Sequence, residues 1–342
     1  PEDSLWESSL RILIAQIQVI FKSRRRMLLV MPIDLCGFDV VQSDSLPDND
    51  FIIYFESKVR FVVDHFQLFK PEDKIFVAAS GGKDSTVCLY LLKKFGYDIQ
   101  ALTVDVMIGK YTKDTLRCLQ EFCSIHKIPL HVVSFREKFG YSLCYLQTAL
   151  KGNGLDVSSC STCSVLRRSL VNKNARSLGA TLVVTGHNLD DECQQVLMNL
   201  FRNTPVLMAR MGPKPGIRKI EGFIPRVKPL YLATNAEVER YSRIMKFPVE
   251  YGECPCAKDA FRRNIKHWMN RLEMDDPLIK YQVIKRFISA LPSLKEDHAG
   301  SGSPSICSIC GEPASKGECQ SCRILGFLNP GSPAKASTTS ST

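Results

Sequence analysis

The chain has 342 residues, with 45 Lys and Arg against 35 Asp and Glu, for a formal charge of +10. That length accommodates one substantial α/β domain plus accessory modules, and that charge favours a polyanionic partner, RNA or DNA before membrane. Fourteen cysteines in a chain expected to be cytosolic point to metal or redox chemistry and away from a disulfide framework.

Residues 1–50 open with an apolar run, Leu10 to Phe21, that is broken by Arg11, Gln16 and Gln18 and is too short to span a bilayer. Acidic residues precede this run and Lys22-Ser23-Arg24-Arg25-Arg26 follows it, the reverse of signal-peptide order. The basic cluster is either an RNA contact or a solvated extension. From Phe51 to Phe69 apolar positions recur at helical spacing. Ile75 to Ala79 reads as a short buried strand, followed by the turn Ser80-Gly81-Gly82-Lys83-Asp84-Ser85 and a helix from Thr86 to Leu92. Further strands are predicted at Ile99–Val106, Leu130–Ser134 and Thr181–Thr185, with helices over Thr112–His126 and Ser164–Leu178. This alternation predicts an α/β fold, a parallel sheet flanked by helices. Ligands on such sheets sit beyond the carboxyl ends of the strands, where Ser80, Val104, Asp105 and Gly186 fall.

Gly212 to Pro229 reads as a basic loop, and residues 258–291 as helix. In that helix Phe261, Ile265, Trp268, Met269 and Leu272 form one apolar stripe, expected to face the core. Arg262, Arg263, Lys266, Lys280, Lys285 and Arg286 are candidate phosphate contacts. Ala299 to Ser305 reads as a linker and Pro330 onward as a disordered tail.

The turn at Ser80–Ser85 carries the first chemistry. A strand that empties through two glycines into a helix surrounds one concavity with backbone N–H groups, to which Lys83 adds charge and Ser80 and Ser85 add hydroxyls. The spacing is not that of the Walker loop. It resembles the PP-loop of the ATP pyrophosphatases, enzymes that split ATP between the α and β phosphates and attach AMP to a substrate oxygen.

The cysteines carry the second. Cys160-x-x-Cys163 precedes a helix, and Cys254-Pro255-Cys256 lies some ninety residues later. Taken alone these suit an iron–sulfur cluster, a catalytic disulfide or plain buried thiols. Cys307-x2-Cys310-x8-Cys319-x2-Cys322 is more specific: two knuckles in a tail too short for its own core indicate structural zinc, with Gly311 and Gly317 allowing tight turns.

Gly186-His187-Asn188-Leu189-Asp190-Asp191-Glu192 completes the pattern. Together with the PP-loop, Cys160-Ser161-Thr162-Cys163 before Arg167-Arg168, Glu253-Cys254-Pro255 and the C-terminal zinc knuckles, the chain resembles the cytosolic tRNA 2-thiouridine synthetases of the TtuA/NcsA type, from about Phe51 to Asn329. The resemblance implies a 4Fe-4S cluster on Cys160, Cys163 and Cys254, ATP with Mg2+ on Ser80 to Ser85, and adenylation of the C2 oxygen of a tRNA uridine before sulfur replaces it. It also implies a sulfur donor, sulfide or a ubiquitin-like thiocarboxylate carrier, and a homodimer. Asp191 and Asp190 are candidate acid/base or metal-orienting groups, or else helix N-terminal carboxylates with Asn188 as cap. Arg167 or Arg168 is a candidate to neutralise the adenylate.

Two departures stand out. The resemblance leads one to expect an N-terminal zinc finger, whose ligands residues 1–50, with only Cys36 and no His, do not supply, and Cys256 stands where an aromatic residue is common. The predicted organisation is an extension over 1–50, a PP-loop domain with the iron–sulfur site over 51–256, a helical part over 257–298 with candidate tRNA contacts, a four-cysteine zinc module over 305–328 and a tail over 329–342. The nearest alternatives are a tRNA 2-thiocytidine synthetase and a non-catalytic tRNA-binding partner of a thiolase.

Overall fold

The computed structural model describes residues 33–35, 37–218, 220–252, 254–256, 261–300 and 305–328. The basic cluster at Lys22–Arg26, together with Cys36, Lys219, Glu253 and the C-terminal tail, lies outside the described residues.

Five parallel strands, β3 (Ile75–Ala78), β4 (Ile99–Asp105), β5 (Leu130–Ser134), β6 (Leu182–Thr185) and β7 (Arg226–Val227), form the central sheet in the order β5-β4-β3-β6-β7. Both faces are covered, so the central strands β3 and β6 are apolar but for Thr185, and strand alternation sorts residues to two sides. Ile75, Val77, Ile99, Ala101, Leu182 and Val184 enter one core cluster, whereas Phe76, Leu102 and Val183 enter the other. The order reverses at β3 and β6, which leaves a crevice beyond their carboxyl ends.

The first cluster is covered by α1 (Asp48–His65), α2 (Lys83–Lys94), α3 (Gly109–Ile125), α7 (Leu189–Phe201), α9 (Asn235–Ile244), α10 (Phe261–Asp275) and α11 (Ile279–Asp297). The second lies under α4 (Phe135–Phe139), α5 (Leu143–Gly152) and α6 (Ser159–Ser177). The short α8 (Pro205–Ala209) packs against α7 and α11. A small hairpin, β1 (Ile33–Leu35) with β2 (Phe38–Val40), sends Leu35 and Val40 into the first core, so part of the N-terminal 50 residues belongs to the packed body.

Lys58 binds this side together from a fully buried position. Its Nζ lies 2.7 and 2.9 Å from the two carboxylate oxygens of Glu237 and 2.9 Å from the Tyr281 hydroxyl, joining α1, α9 and α11. Ser43 Oγ donates to the same carboxylate at 2.9 Å. A charge pair this deep is tolerable because hydrogen bonds from several sides accompany it.

The helix expected over 258–291 is broken at Pro277, which lacks the N–H a continuing helix needs, and Leu278 N turns to Asp276 Oδ1 at 3.0 Å. Of its predicted core stripe, Ile265 and Met269 are buried, while Phe261 and Trp268 are 43% and 38% exposed. Among the described residues no helix is long and apolar enough to cross a membrane.

Candidate active site

The turn after β3 is held open by its own side chains. Ser85 Oγ accepts from Ser80 N and donates to Gly82 O, each at 3.1 Å, pinning the loop into a ring. Gly81 has φ +77°, and a Cβ there would lie 2.2 Å from the Thr115 carbonyl oxygen, so only glycine fits. Gly82 is the N-cap of α2 and supplies no capping side chain, which leaves first-turn N–H groups available to an anion. Lys83 Nζ sits 2.9 and 3.0 Å from the Asp84 carboxylate oxygens and 2.7 Å from Asn235 Oδ1. Asn188 Nδ2 donates to Asp84 Oδ1 at 2.9 Å, tying this turn to the one after β6. There Gly186 allows the close approach, since a Cβ would come within 2.9 Å of Asp84 C and Ser85 N.

The N-terminus of α7 is built the opposite way. Asn188 and Asp191 form a reciprocal capping box: Asp191 N donates to Asn188 Oδ1 at 3.1 Å and Asn188 N to Asp191 Oδ2 at 3.3 Å. Three acidic residues fill its first turn. Two helices thus start beside one crevice, and only α2 offers its N-terminus to phosphate.

A cavity of about 440 Å³ opens over these strand ends. Ser80, Asp84, Ser85 and Gly186 line one side, and Cys160, Cys163, Cys254 and Cys256 another. Ser158 caps α6 through Ser161 N at 3.3 Å, placing Cys160 and Cys163 three residues apart on one face of the first turns. Burial first, then Cys254, pushes the Cys160 thiol above its ordinary value. Burial does the same at Cys163, opposed by Arg167, whose Nη2 lies 3.4 Å from Cys163 Sγ. Burial and then Cys254 push Cys256 up to about 11.

The remaining wall is cationic. Arg167, Arg168, Arg226 and His187 line the cavity, and Asp84 is the one carboxylate among its lining residues. Arg168 is exposed as a residue, yet it lines the cavity, where desolvation and then Arg262 hold its pKa below the usual value. Desolvation, then Arg168, brings Arg226 down to about 10. Among the described residues no carboxylate pairs with either guanidinium. The Arg167 Nε is buried without a hydrogen-bond partner. His187 accepts this setting by staying neutral: burial, then Lys228, Arg262, Arg168 and Arg226, bring it to about 3. Clustered cations with unspent donors, next to an open helix N-terminus, suit a polyphosphate or a phosphodiester.

The structure brings Ser80, Asp84, Ser85, Gly186, Arg167, Cys160, Cys163 and Cys254 to one cavity. Gly81, Gly82 and Lys83 shape the adjoining loop, while Val104 packs against the second core and Asp105 Oδ1 accepts from Met107 N at 2.8 Å. Asp190 and Asp191 do not line the cavity. Asp190 is buried between Lys280 Nζ, at 2.5 Å, and Asn235 N, at 2.7 Å, and Asp191 holds Arg262 Nη2 at 2.8 Å. Asp191 is thus part of the helix cap and Asp190 a buried ion-pair partner. Lys280 and Arg262, expected to face phosphate, are spent on these carboxylates, whereas Arg263, Lys266, Lys285 and Arg286 are exposed. Sequence reasoning missed His187 and Arg226 as cavity residues; the motif flanking Asn188 and the basic run before Val227 were the only signals.

At the C-terminus β8 (Ser305–Ile306) pairs with β9 (Pro313–Ala314), and α12 (Gln320–Gly326) follows. The sulfurs of Cys307, Cys310, Cys319 and Cys322 all lie within 4.8 Å of one another. Gly311 has φ +70°, the turn the first knuckle needs. Burial raises the Cys307 thiol, but N–H groups of Cys319, Cys310 and Ile309 outweigh this and bring it down to about 6. Four converging sulfurs suit a single tetrahedral ion. Among the described residues no other set of three or more ligand atoms is so tight. The C-terminal module is bolted to α6: buried Glu312 accepts from Asn172 Nδ2 at 2.7 Å and pairs with Arg176.

Comparison with known proteins places these features. The family model of the PP-loop domain matches residues 55–269. A tRNA-5-methyluridine(54) 2-sulfurtransferase of Pyrococcus horikoshii is 32% identical over 287 residues, covering 82% of this chain and 88% of that protein. The cytoplasmic tRNA 2-thiolation protein 1 of Bos taurus is 34% identical over 290 residues, covering 83% and 82%. Among solved structures, the U34-tRNA thiolase NcsA of Methanococcus maripaludis, determined with its 4Fe-4S cluster, superposes with a TM-score of 0.68 at 24% identity, over 88% of this chain and 96% of that one, which shows a shared fold. The chain belongs to the PP-loop family and, within it, to the tRNA 2-thiolation proteins.

Proposed function

We propose that this enzyme activates the C2 oxygen of a tRNA uridine with ATP and replaces that oxygen by sulfur, giving 2-thiouridine. The observation that carries the reading is the shared cavity: an uncapped helix N-terminus and four cysteines open onto the same 440 Å³. An amide-like carbonyl oxygen does not leave unaided, so phosphate activation and sulfur delivery must meet at one carbon.

In this reading the N–H groups of Ser80–Ser85, with Lys83, take the β and γ phosphates, and Mg2+ offsets their charge. Arg167, Arg168 and Arg226 receive negative charge that develops as AMP departs. Cys160, Cys163 and Cys254 fit a 4Fe-4S cluster, because they are soft donors on one wall with the Arg167 guanidinium beside them. Bound there, the cluster would supply an iron that accepts external sulfur. Asp190 and Asp191 fix α7 against α9, α10 and α11 and so hold the Gly186 turn in place. Cys307, Cys310, Cys319 and Cys322 hold structural zinc, and exposed Arg263, Lys266, Lys285 and Arg286 lie where tRNA phosphates meet the helical part. The reaction takes place in the cytoplasm, with sulfide or a ubiquitin-like thiocarboxylate as sulfur source.

The test is nucleoside mass spectrometry of unmodified tRNA after incubation with anaerobically reconstituted protein, Mg-ATP and either sulfur source. ATP-dependent 2-thiouridine that disappears in Cys160→Ala is the expected result. Formation of 2-thiocytidine would transfer the assignment to the cytidine enzymes, and iron-loaded protein that forms no thionucleoside with either source would refute it.

A further inference from the structure

Three cysteines suffice to hold a cubane cluster with one iron left open, yet this cavity presents four. Cys256 lines it together with Cys160, Cys163 and Cys254, and its side chain is half-buried. Its backbone carbonyl accepts from Cys160 Sγ at 3.4 Å, so the Cys254–Cys256 turn lies directly over the first turn of α6. Both 254 and 256 pack against the second core cluster, as does Cys163. The fourth thiol is therefore an integral part of the site, and it stands where the family resemblance leads one to expect an aromatic residue.

Building on the proposed function, we infer that Cys256 is a fourth protein ligand at the cluster site, closing the open iron at rest and giving way to incoming sulfur. The chemistry is a ligand exchange without net oxidation: the Cys256 thiol loses a proton when its sulfur binds, and regains one when a hydrosulfide ion takes its place. A cysteine tethered two residues from a fixed ligand competes at high effective concentration, so external sulfur binds only in proportion to the fraction of time that Cys256 is detached. The device keeps the reactive iron covered until a donor is present.

Two measurements on full-length, anaerobically reconstituted protein test this. The first is alkylation by iodoacetamide, read peptide by peptide by mass spectrometry, in iron-loaded and iron-free protein, with exposed Cys144 as the internal reference. Cys256 should be protected along with Cys160, Cys163 and Cys254 only when iron is bound, while Cys144 reacts equally in both. Alkylation of Cys256 at the iron-free rate in loaded protein would overturn the inference and leave the proposed function standing; absence of iron would overturn both. The second is a sulfide titration followed by electron paramagnetic resonance of the reduced cluster. Cys256→Ala should lower the half-saturating sulfide about tenfold, as expected if the closed form holds about nine-tenths of the population. Equal half-saturation in the two proteins would show that Cys256 is shielded by the cluster without binding it.

Discussion

The cationic floor of the cavity makes a quantitative prediction through His187. Its ring is partly buried beside Arg168, Arg226, Lys228 and Arg262, and it titrates at about 3, against an ordinary value of 6.5. Below pH 6.5 the unfolded chain binds a proton at His187 that the folded protein refuses, so stability falls as pH falls and is regained as pH rises. Each pH unit between 6.5 and about 3 costs at most about 1.4 kcal/mol at this site. Going from pH 7.5 to 5.0 should therefore cost the metal-free protein up to about 2 kcal/mol through this ring alone. His187→Gln keeps a polar side chain and removes the titration, so urea unfolding of the two proteins at both pH values isolates the effect. The wild type should lose more stability on acidification than the variant. Added pyrophosphate should shrink that difference, because an anion among the arginines makes an imidazolium acceptable. Equal losses in wild type and variant would refute the picture of an unneutralised cationic cavity.

Gly81→Ala should leave the fold largely intact but weaken Mg-ATP binding by at least about tenfold, measured calorimetrically, because a left-handed backbone and a Cβ 2.2 Å from Thr115 O force the loop to shift. Asp190→Ala should destabilise the protein by about 3 kcal/mol in denaturant unfolding, since it leaves Lys280 buried with only Glu273 at 2.6 Å; a variant of unchanged stability but abolished turnover would instead restore a direct catalytic role. Cys310→Ser, or chelation of a metal ion held by the four cysteines, should speed hydrogen exchange at the C-terminal end of α6, where Asn172 and Arg176 lose Glu312. Unaltered exchange there would show that the C-terminal module does not brace the helix bearing Cys160 and Cys163.

Much of the site was legible because its chemistry is written in local spacing. A strand, two glycines, a lysine and two hydroxyls specify an anion-binding turn within about ten residues, and each cysteine knuckle is a short local pattern. The same locality leaves the surroundings of Asp190 and Asp191 unspecified. The sequence shows two carboxylates near a glycine turn, but whether they face substrate or a buried lysine depends on Lys280, far along the chain and across a helix packing. Lys280 and Arg262, candidate phosphate contacts by sequence, pair with these carboxylates for the same reason.

Local pattern was enough for the alternation of strands and helices and for the glycine turn after β3, since these follow from period and turn chemistry. Long-range packing had to settle that β7 carries Arg226 into the cavity, that His187 is held neutral there, and that Glu312 anchors the C-terminal module to α6. It also settled that Cys256 joins the other three thiols. Charge and coordination depend on distances in space, and a chain folded into a reversing sheet sets those distances between residues that no local pattern connects.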